Sequence, residues 1–167
     1  MNPTFLLMRH GEAEPLHSAD RDFDRPLTAR GYRDIEHIGR WIQKYGWIAD
    51  RIICSTAQRA KQTSEYLCQQ IGINPQTIES EERIYEADLN QLIAILNETS
   101  PSTKKLMIVG HNPGLSHLLN YLLPDKSANS SMPTAALAII SLDASWRNLD
   151  QNIGKLLSLI LPQNLTN

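Results

Sequence analysis

Cysteine is scarce in this chain. Cys54 and Cys68 are the two thiols among 167 residues, too few for a disulfide framework and without metal-ligand spacing. Their apolar neighbours make them reduced, packed residues suited to the cytoplasm. Long apolar runs are missing too: stretches such as Ala-Ala-Leu-Ala-Ile-Ile over 135–140 stop far short of the roughly 18 residues of a membrane span. The opening Met1-Asn2-Pro3-Thr4 carries no positive segment ahead of an apolar one, which argues against an ordinary secretory signal. Charge of neither sign dominates. With 16 Lys and Arg against 18 Asp and Glu the formal net charge is −2, which gives no general affinity for nucleic acid or an anionic membrane. No repeat, linker or low-complexity tract interrupts the chain, and its length suits one domain over 1–167 with a core of its own. The expected protein is a cytoplasmic monomer with neither nucleic acid nor membrane as partner.

What is present is an alternation. Apolar runs of strand length alternate with amphipathic stretches, which predicts an α/β fold with a mostly parallel central sheet and covering helices. Residues 4–9 read as the first strand, followed by a long polar stretch over 12–26 without helical periodicity. Thr28 is placed to cap a helix that turns Tyr32, Ile35, Ile38, Trp41, Ile42 and Tyr45 inward and stops near Gly46. A second strand is expected over 51–55, then a helix from Thr56 to Gly72. Residues 77–84 suggest a short strand and turn, and Asp88 opens a helix with Leu89, Leu92, Ile93 and Leu96 inward. A buried strand over 105–109 leads through Gly110-His111-Asn112-Pro113 into a helix over 114–123. After a polar loop over 127–133, strands over 135–142 and 156–161 are expected to form a hairpin at the sheet edge, against the parallel order.

Open α/β sheets bind ligands at the carboxyl ends of their strands. Three such ends, Met8-Arg9-His10, Ser55-Thr56 and Val109-Gly110-His111, lie on one rim if the strands are parallel neighbours. Arg9, His10, Arg59 and His111 then converge. Arginine presents a planar fork of donors that matches phosphate oxygens, and helix starts add backbone N–H groups and partial positive charge. Singly, Arg59 reads as a surface partner of Glu65 or Glu12, and His111 as a turn histidine. Together the four suit a phosphoryl dianion.

Leu7-Met8-Arg9-His10-Gly11-Glu12, Ser55-Thr56-Ala57-Gln58-Arg59-Ala60-Lys61-Gln62-Thr63 and Val109-Gly110-His111-Asn112 resemble, in this order, the histidine phosphatase superfamily, also called phosphoglycerate-mutase-like. The short length and Asp24-Arg25-Pro26-Leu27-Thr28-Ala29-Arg30-Gly31 are similar to its small, SixA-like branch of phosphohistidine phosphatases. The resemblance implies a three-layer sandwich and a covalent phosphohistidine on His10. It also implies that Arg9, Arg59 and His111 bind the transferred group, with Arg25 directed toward the pocket and Asn112 as a further phosphate contact. In larger relatives an acidic residue of the middle region protonates the leaving oxygen, and Glu86 is the candidate here. The alternative for Glu86 is a solvated carboxylate beside the helix start at Asp88.

A neutral imidazole can attack phosphorus, so His10 needs one bare ring nitrogen and the other holding its proton against a backbone carbonyl near Gly11. Nearby Arg9 and Arg59 disfavour the imidazolium form. Positioning and charge stabilisation carry phosphoryl transfer, so no metal or cofactor is expected; Glu12 and Glu14 lack a supporting His/Asp pair. A leaving imidazole, whose conjugate acid has a pKa of about 6.5, departs with little help, and the expected substrate is phosphohistidine on a partner protein such as a histidine phosphotransfer domain. Other readings remain open: a small-molecule phosphomonoesterase or mutase on the same site, or a non-catalytic phosphoprotein-binding module. A cysteine phosphatase using Cys54 is a further rival, but its Cys-to-Arg59 loop is one residue short and lacks glycines.

Overall fold

Six strands, β1 (Thr4–Arg9), β2 (Arg51–Cys54), β3 (Glu79–Ser80), β4 (Lys105–Gly110), β5 (Leu137–Leu142) and β6 (Gly154–Ile160), form one sheet ordered β3-β2-β4-β1-β5-β6. They belong to a computed structural model that describes residues 2–124 and 132–165. β4 runs parallel between β1 and β2, and β3 runs parallel to β2. β5 is antiparallel to β1 and β6 to β5, so the departure from parallel order lies in the expected hairpin.

Side chains alternate across a strand, and β1 uses both sides. Phe5 and Leu7 enter one core with α3 (Leu89–Asn97) and α4 (Gly114–Leu122), while Leu6 and Met8 enter the other with α1 (Ala29–Tyr45) and α2 (Gln58–Ile71). A strand covered on both faces reads as a continuous apolar run. The result is the expected three-layer sandwich, and among the described residues no helix is long and apolar enough to cross a membrane.

The helix ends follow the predicted chemistry with one shift. The Thr28 hydroxyl accepts the Gly31 N–H at 3.0 Å, and Gly46 ends α1 with φ 75°, a left-handed conformation that suits glycine. Asp88 and Gln91 make a capping box at α3. α2, expected from Thr56, starts at Gln58 with Ala57 in the cap position, because the Ser55 hydroxyl accepts the Ala57 N–H at 3.2 Å within a turn. β2 stops at Cys54, β6 begins at Gly154, and β5 begins at Leu137 because Ala135 takes φ 61°. On α3 Ile95 is buried along with Leu92 and Leu96, while Leu89 and Ile93 pack half-buried against the same core, and Tyr45 at the end of α1 is 54% exposed. The expected polar loop over 127–133 falls mostly outside the described residues.

The stretch after β1 holds two short 3-10 turns, Leu16–Ser18 and Asp22–Asp24. Its ends are fastened by Glu14 N–H to Pro26 O at 2.8 Å and Thr28 N–H to Glu12 O at 2.9 Å. Two glycines permit this. A Cβ on Gly11 would stand 3.1 Å from both the Gly31 carbonyl oxygen and Ile35 Cδ1, and one on Gly31 would collide with the Glu12 carbonyl oxygen. Helix α1 therefore lies directly on the backbone that follows His10. Gly31→Ala is expected to destabilise the protein by about 1–3 kcal/mol, read from the urea unfolding midpoint; an unchanged midpoint would show that this contact is dispensable.

Candidate active site

Val109 is in register with both Met8 and Cys54, so β1, β2 and β4 end level and their next residues emerge on one rim. The His10 N–H donates to Gly110 O and the Ser55 N–H to Val109 O, both at 3.1 Å. His111 follows β4 itself, and Arg59 comes from the first turn of α2. The structure brings the four expected residues together: Arg59 Nε lies 3.3 Å from His10 Nε2, and the His10 and His111 ring centroids are 5.2 Å apart. Arg9 acts electrostatically on both histidines.

His10 is buried, and its Nδ1 lies 2.7 Å from the Gly11 carbonyl. A carbonyl only accepts, so the proton is assigned to Nδ1, leaving Nε2 with its lone pair to receive the Arg59 Nε–H. Gly11 is itself held. Its N–H donates to Thr63 Oγ1 at 3.0 Å, and the Thr63 hydroxyl donates to the Arg59 carbonyl at 2.7 Å. One threonine, four residues after Arg59 on α2, thus ties the residue after His10 to the arginine's backbone.

Burial lowers the His10 pKa, and His111, Arg59 and Arg9 lower it further; against the opposing Gly11 bond they take it to about 3. Burial, then Arg59 and Arg9, bring His111 to about 4 against the pull of Asp22. Both rings are neutral at physiological pH. His111 Nε2 lies 2.7 Å from Ser55 Oγ, whereas its Nδ1 is buried without a hydrogen-bond partner, as is Arg9 Nε. The Ser55 hydroxyl, which accepts from the Ala57 N–H, can donate to His111 Nε2; in that tautomer Nδ1 carries the proton and, like the Arg9 Nε–H, calls for an acceptor such as a phosphoryl oxygen.

Arg59 does not pair with Glu65 or Glu12. The Glu12 carboxylate accepts from the Thr28 hydroxyl at 2.7 Å, and the buried Arg59 donates from Nη1 to Asp22 O at 2.8 Å and from Nη2 to Asp22 Oδ2 at 3.1 Å. Asp22 Oδ2 also accepts the Tyr85 hydroxyl at 2.8 Å, and Oδ1 accepts Arg25 Nη1 at 2.9 Å. Burial by itself would raise the Asp22 carboxyl, but the hydrogen bonds from Arg25, Tyr85 and Arg59 outweigh it and hold the group well below the usual carboxylate range. Tyr85 stands edge-on to His111 at 5.6 Å. Asp22 and Tyr85 escaped the reading of the sequence: 37 and 63 positions separate Asp22 from Arg59 and Tyr85, and no local spacing marks such a contact.

The remaining candidates occupy different places. Arg25 stands behind Asp22, with Nε donating to Glu14 O at 2.6 Å. Asn112 has both ends of its amide engaged, Nδ2 with Met132 O and Oδ1 with the Ser116 hydroxyl, each at 2.8 Å; Arg9 Nη1 donates to the same Met132 carbonyl at 3.0 Å. Glu86 is exposed, at φ 59°, and lines a cavity of about 450 Å3 with Asp22, Arg59, Asp88, His111 and His117. A larger cavity of about 710 Å3, beside Thr4, Asp50 and Lys105 at the opposite strand ends, touches none of the four converging residues. Among the described residues no group of three or more His, Cys, Asp or Glu is arranged to hold a metal ion.

A mixed sheet whose neighbouring parallel strands gather two arginines and two neutral histidines at one rim defines an α/β protein of phosphoglycerate-mutase-like fold, with a pocket suited to phosphoryl groups. The chain belongs to the histidine phosphatase superfamily (branch 1), whose family model matches residues 5–98. Escherichia coli phosphohistidine phosphatase SixA is 26% identical over 141 residues, covering 84% of this chain and 86% of SixA. An uncharacterized protein of Mycobacterium tuberculosis is 28% identical over 165 residues, 93% of this chain and the whole of that relative. The solved structure of a protein histidine phosphatase SixA complexed with tungstate has the same fold, with TM-score 0.83 at 24% identity over 96% of this chain and 98% of that one. Family and SixA-like relatives together support a phosphatase.

Lowered histidine values carry a sign. A folded-state pKa below the unfolded value of about 6.5 gives stability that is present above that pH and lost as pH falls toward the folded values. Unfolding free energy should therefore decline from about pH 6.5 downward, with a shallower decline in His10→Asn. By NMR the His10 and His111 rings should stay neutral from about pH 8 to pH 5.5; a midpoint near 6.5 for either ring would overturn the assignment.

Proposed function

We propose that this protein is a phosphatase working through phospho-His10, and that its substrate is phosphohistidine on a partner protein such as a phosphotransfer domain. The observation that carries the reading is the hydrogen bond from His10 Nδ1–H to the Gly11 carbonyl at 2.7 Å. It leaves Nε2 as the nucleophilic atom within the cluster of Arg9, Arg59 and His111. In the first step Nε2 forms a bond to phosphorus as the bond to the leaving nitrogen breaks, and that nitrogen keeps the electron pair and takes up a proton. In the second step water attacks phosphorus, Nε2 recovers its pair, and inorganic phosphate departs with the water's proton passing to solvent. The arginines balance the charge on the equatorial oxygens throughout, neutral His111 offers a hydrogen bond, and no metal ion enters the scheme.

Glu86, exposed at the mouth of the cavity, is the proposed proton donor. Little donation is required, because a leaving imidazole has a conjugate-acid pKa of about 6.5. Arg25 enters through its bond to Asp22, and Asn112 braces the pocket wall through Met132. Exposed Glu86, Asp88, Pro113 and His117 rim the cavity, which suits a side chain presented by another protein. Cys54 does not fit a thiolate nucleophile: it is 1% exposed, and burial raises its pKa.

His10→Ala should abolish dephosphorylation of a phosphohistidine protein, and the wild type should yield an acid-labile phosphoryl group on His10 after a quench that avoids acid. Turnover retained in His10→Ala would rule out the nucleophile. Cys54→Ser should keep nearly full activity. Comparing kcat/KM for a phosphohistidine protein, p-nitrophenyl phosphate and sugar phosphates decides the substrate class; a clear preference for the esters would favour the small-molecule phosphomonoesterase.

A further inference from the structure

All three nitrogens of Arg59 donate to the protein itself: Nε to His10 Nε2 at 3.3 Å, Nη1 to Asp22 O at 2.8 Å and Nη2 to Asp22 Oδ2 at 3.1 Å. Two of these bonds oppose phosphoryl transfer. The Nε–H occupies the lone pair that must attack phosphorus, and the carboxylate takes an N–H that a phosphoryl oxygen would use. Carboxylate and phosphate engage the same guanidinium fork. We propose that Asp22 is the counter-anion of the pocket, a positioning residue that holds Arg59 over the nucleophile between turnovers and yields it to the phosphoryl group.

The surroundings of Asp22 fit an exchange. When Arg59 turns away, Oδ1 keeps Arg25 Nη1 and Oδ2 keeps the Tyr85 hydroxyl, so the carboxylate is left bonded and in place. Its side chain is 41% exposed while that of Arg59 is 8% exposed, so water reaches the anion more readily than the cation. The pair differs from its neighbour on the same loop, Arg21–Asp24, whose partners are 69% and 44% exposed and do not line the cavity. Once phosphate has formed, the same carboxylate competes for Arg59 and favours product departure. Affinity for the phosphoryl group is then set partly by a residue that never touches it.

This inference rests on the phosphatase reading, and the test separates the two. The dissociation constant of inorganic phosphate is measured by calorimetry for the wild type, Asp22→Asn and Tyr85→Phe, with the melting temperature of each. Asparagine keeps the shape and the main-chain acceptor but removes the charge, so phosphate should bind about fivefold tighter, with a lower KM for a phosphohistidine protein and stronger product inhibition. Tyr85→Phe loosens the same loop and retains the charge, so it should bring no gain. Unchanged or weaker phosphate binding in Asp22→Asn would mean that Asp22 merely props Arg59, and an equal gain in Tyr85→Phe would assign the effect to loop loosening; either overturns the proposal. Asp22→Ser serves as the neutral variant if Asp22→Asn does not fold. Phosphate that binds no form, the wild type included, removes the pocket and the phosphatase reading together.

Discussion

The parallel register of β4 between β1 and β2 is the constraint on which the rest depends. Val109 pairs with Met8 on one side and Cys54 on the other, and that double rung brings Ser55 out level with Arg9 and Gly110, with His10 and His111 together one residue beyond. A slip of one residue would send each side chain into the opposite core and carry the residues at the strand end out of line with their neighbours on the rim. Register is protected by the core itself: Phe5, Leu6, Leu7 and Met8 are buried without remainder, as are Leu106, Met107, Ile108 and Val109. The residues that make the site possible are therefore the apolar ones that never reach it.

Within that frame the pocket solves an electrostatic problem. Arginines are gathered without a matching number of carboxylates, and the surplus positive charge with burial keeps both histidines neutral. A neutral imidazole is nucleophilic, and a positive surround receives an incoming dianion. In the proposed reaction one arrangement thus serves both activation of His10 and recognition of its target. Asp22 offsets part of the charge at the mouth, against Arg59 and Arg25.

The sequence showed the parts that local pattern controls. Continuous apolar runs marked β1 and β4, three- and four-residue spacing marked α1 and α4, and Thr28 with Gly46 bounded α1 within a residue. The converging quartet was legible because each member sits at a strand end or helix start, where short motifs hold meaning. α2 starts two residues later than Thr56, where the sequence places its beginning, because the Ser55 hydroxyl serves a turn and His111. Asp22 and Tyr85 were invisible for a different reason: their meeting depends on the path of a long loop, and no periodicity encodes it. The roles of Arg25 and Asn112 likewise turn on partners, Glu14 O and Met132 O, that only the folded chain supplies.

Much of the pocket is held by main-chain carbonyls. Gly11 O orients the His10 ring, Asp22 O receives Arg59, and Met132 O accepts from both Arg9 and Asn112. A backbone oxygen survives substitution at its own position wherever the side chain has no other duty at the site, which holds for Met132 and not for Gly11, crowded by α1, or Asp22, whose carboxylate is engaged. Met132 shows the division: its side chain is 1% exposed in the apolar core, answerable to packing, while its carbonyl answers to the site. Such a pocket leaves a faint trace in an alignment, and relatives with about a quarter of their residues in common can retain the same framework.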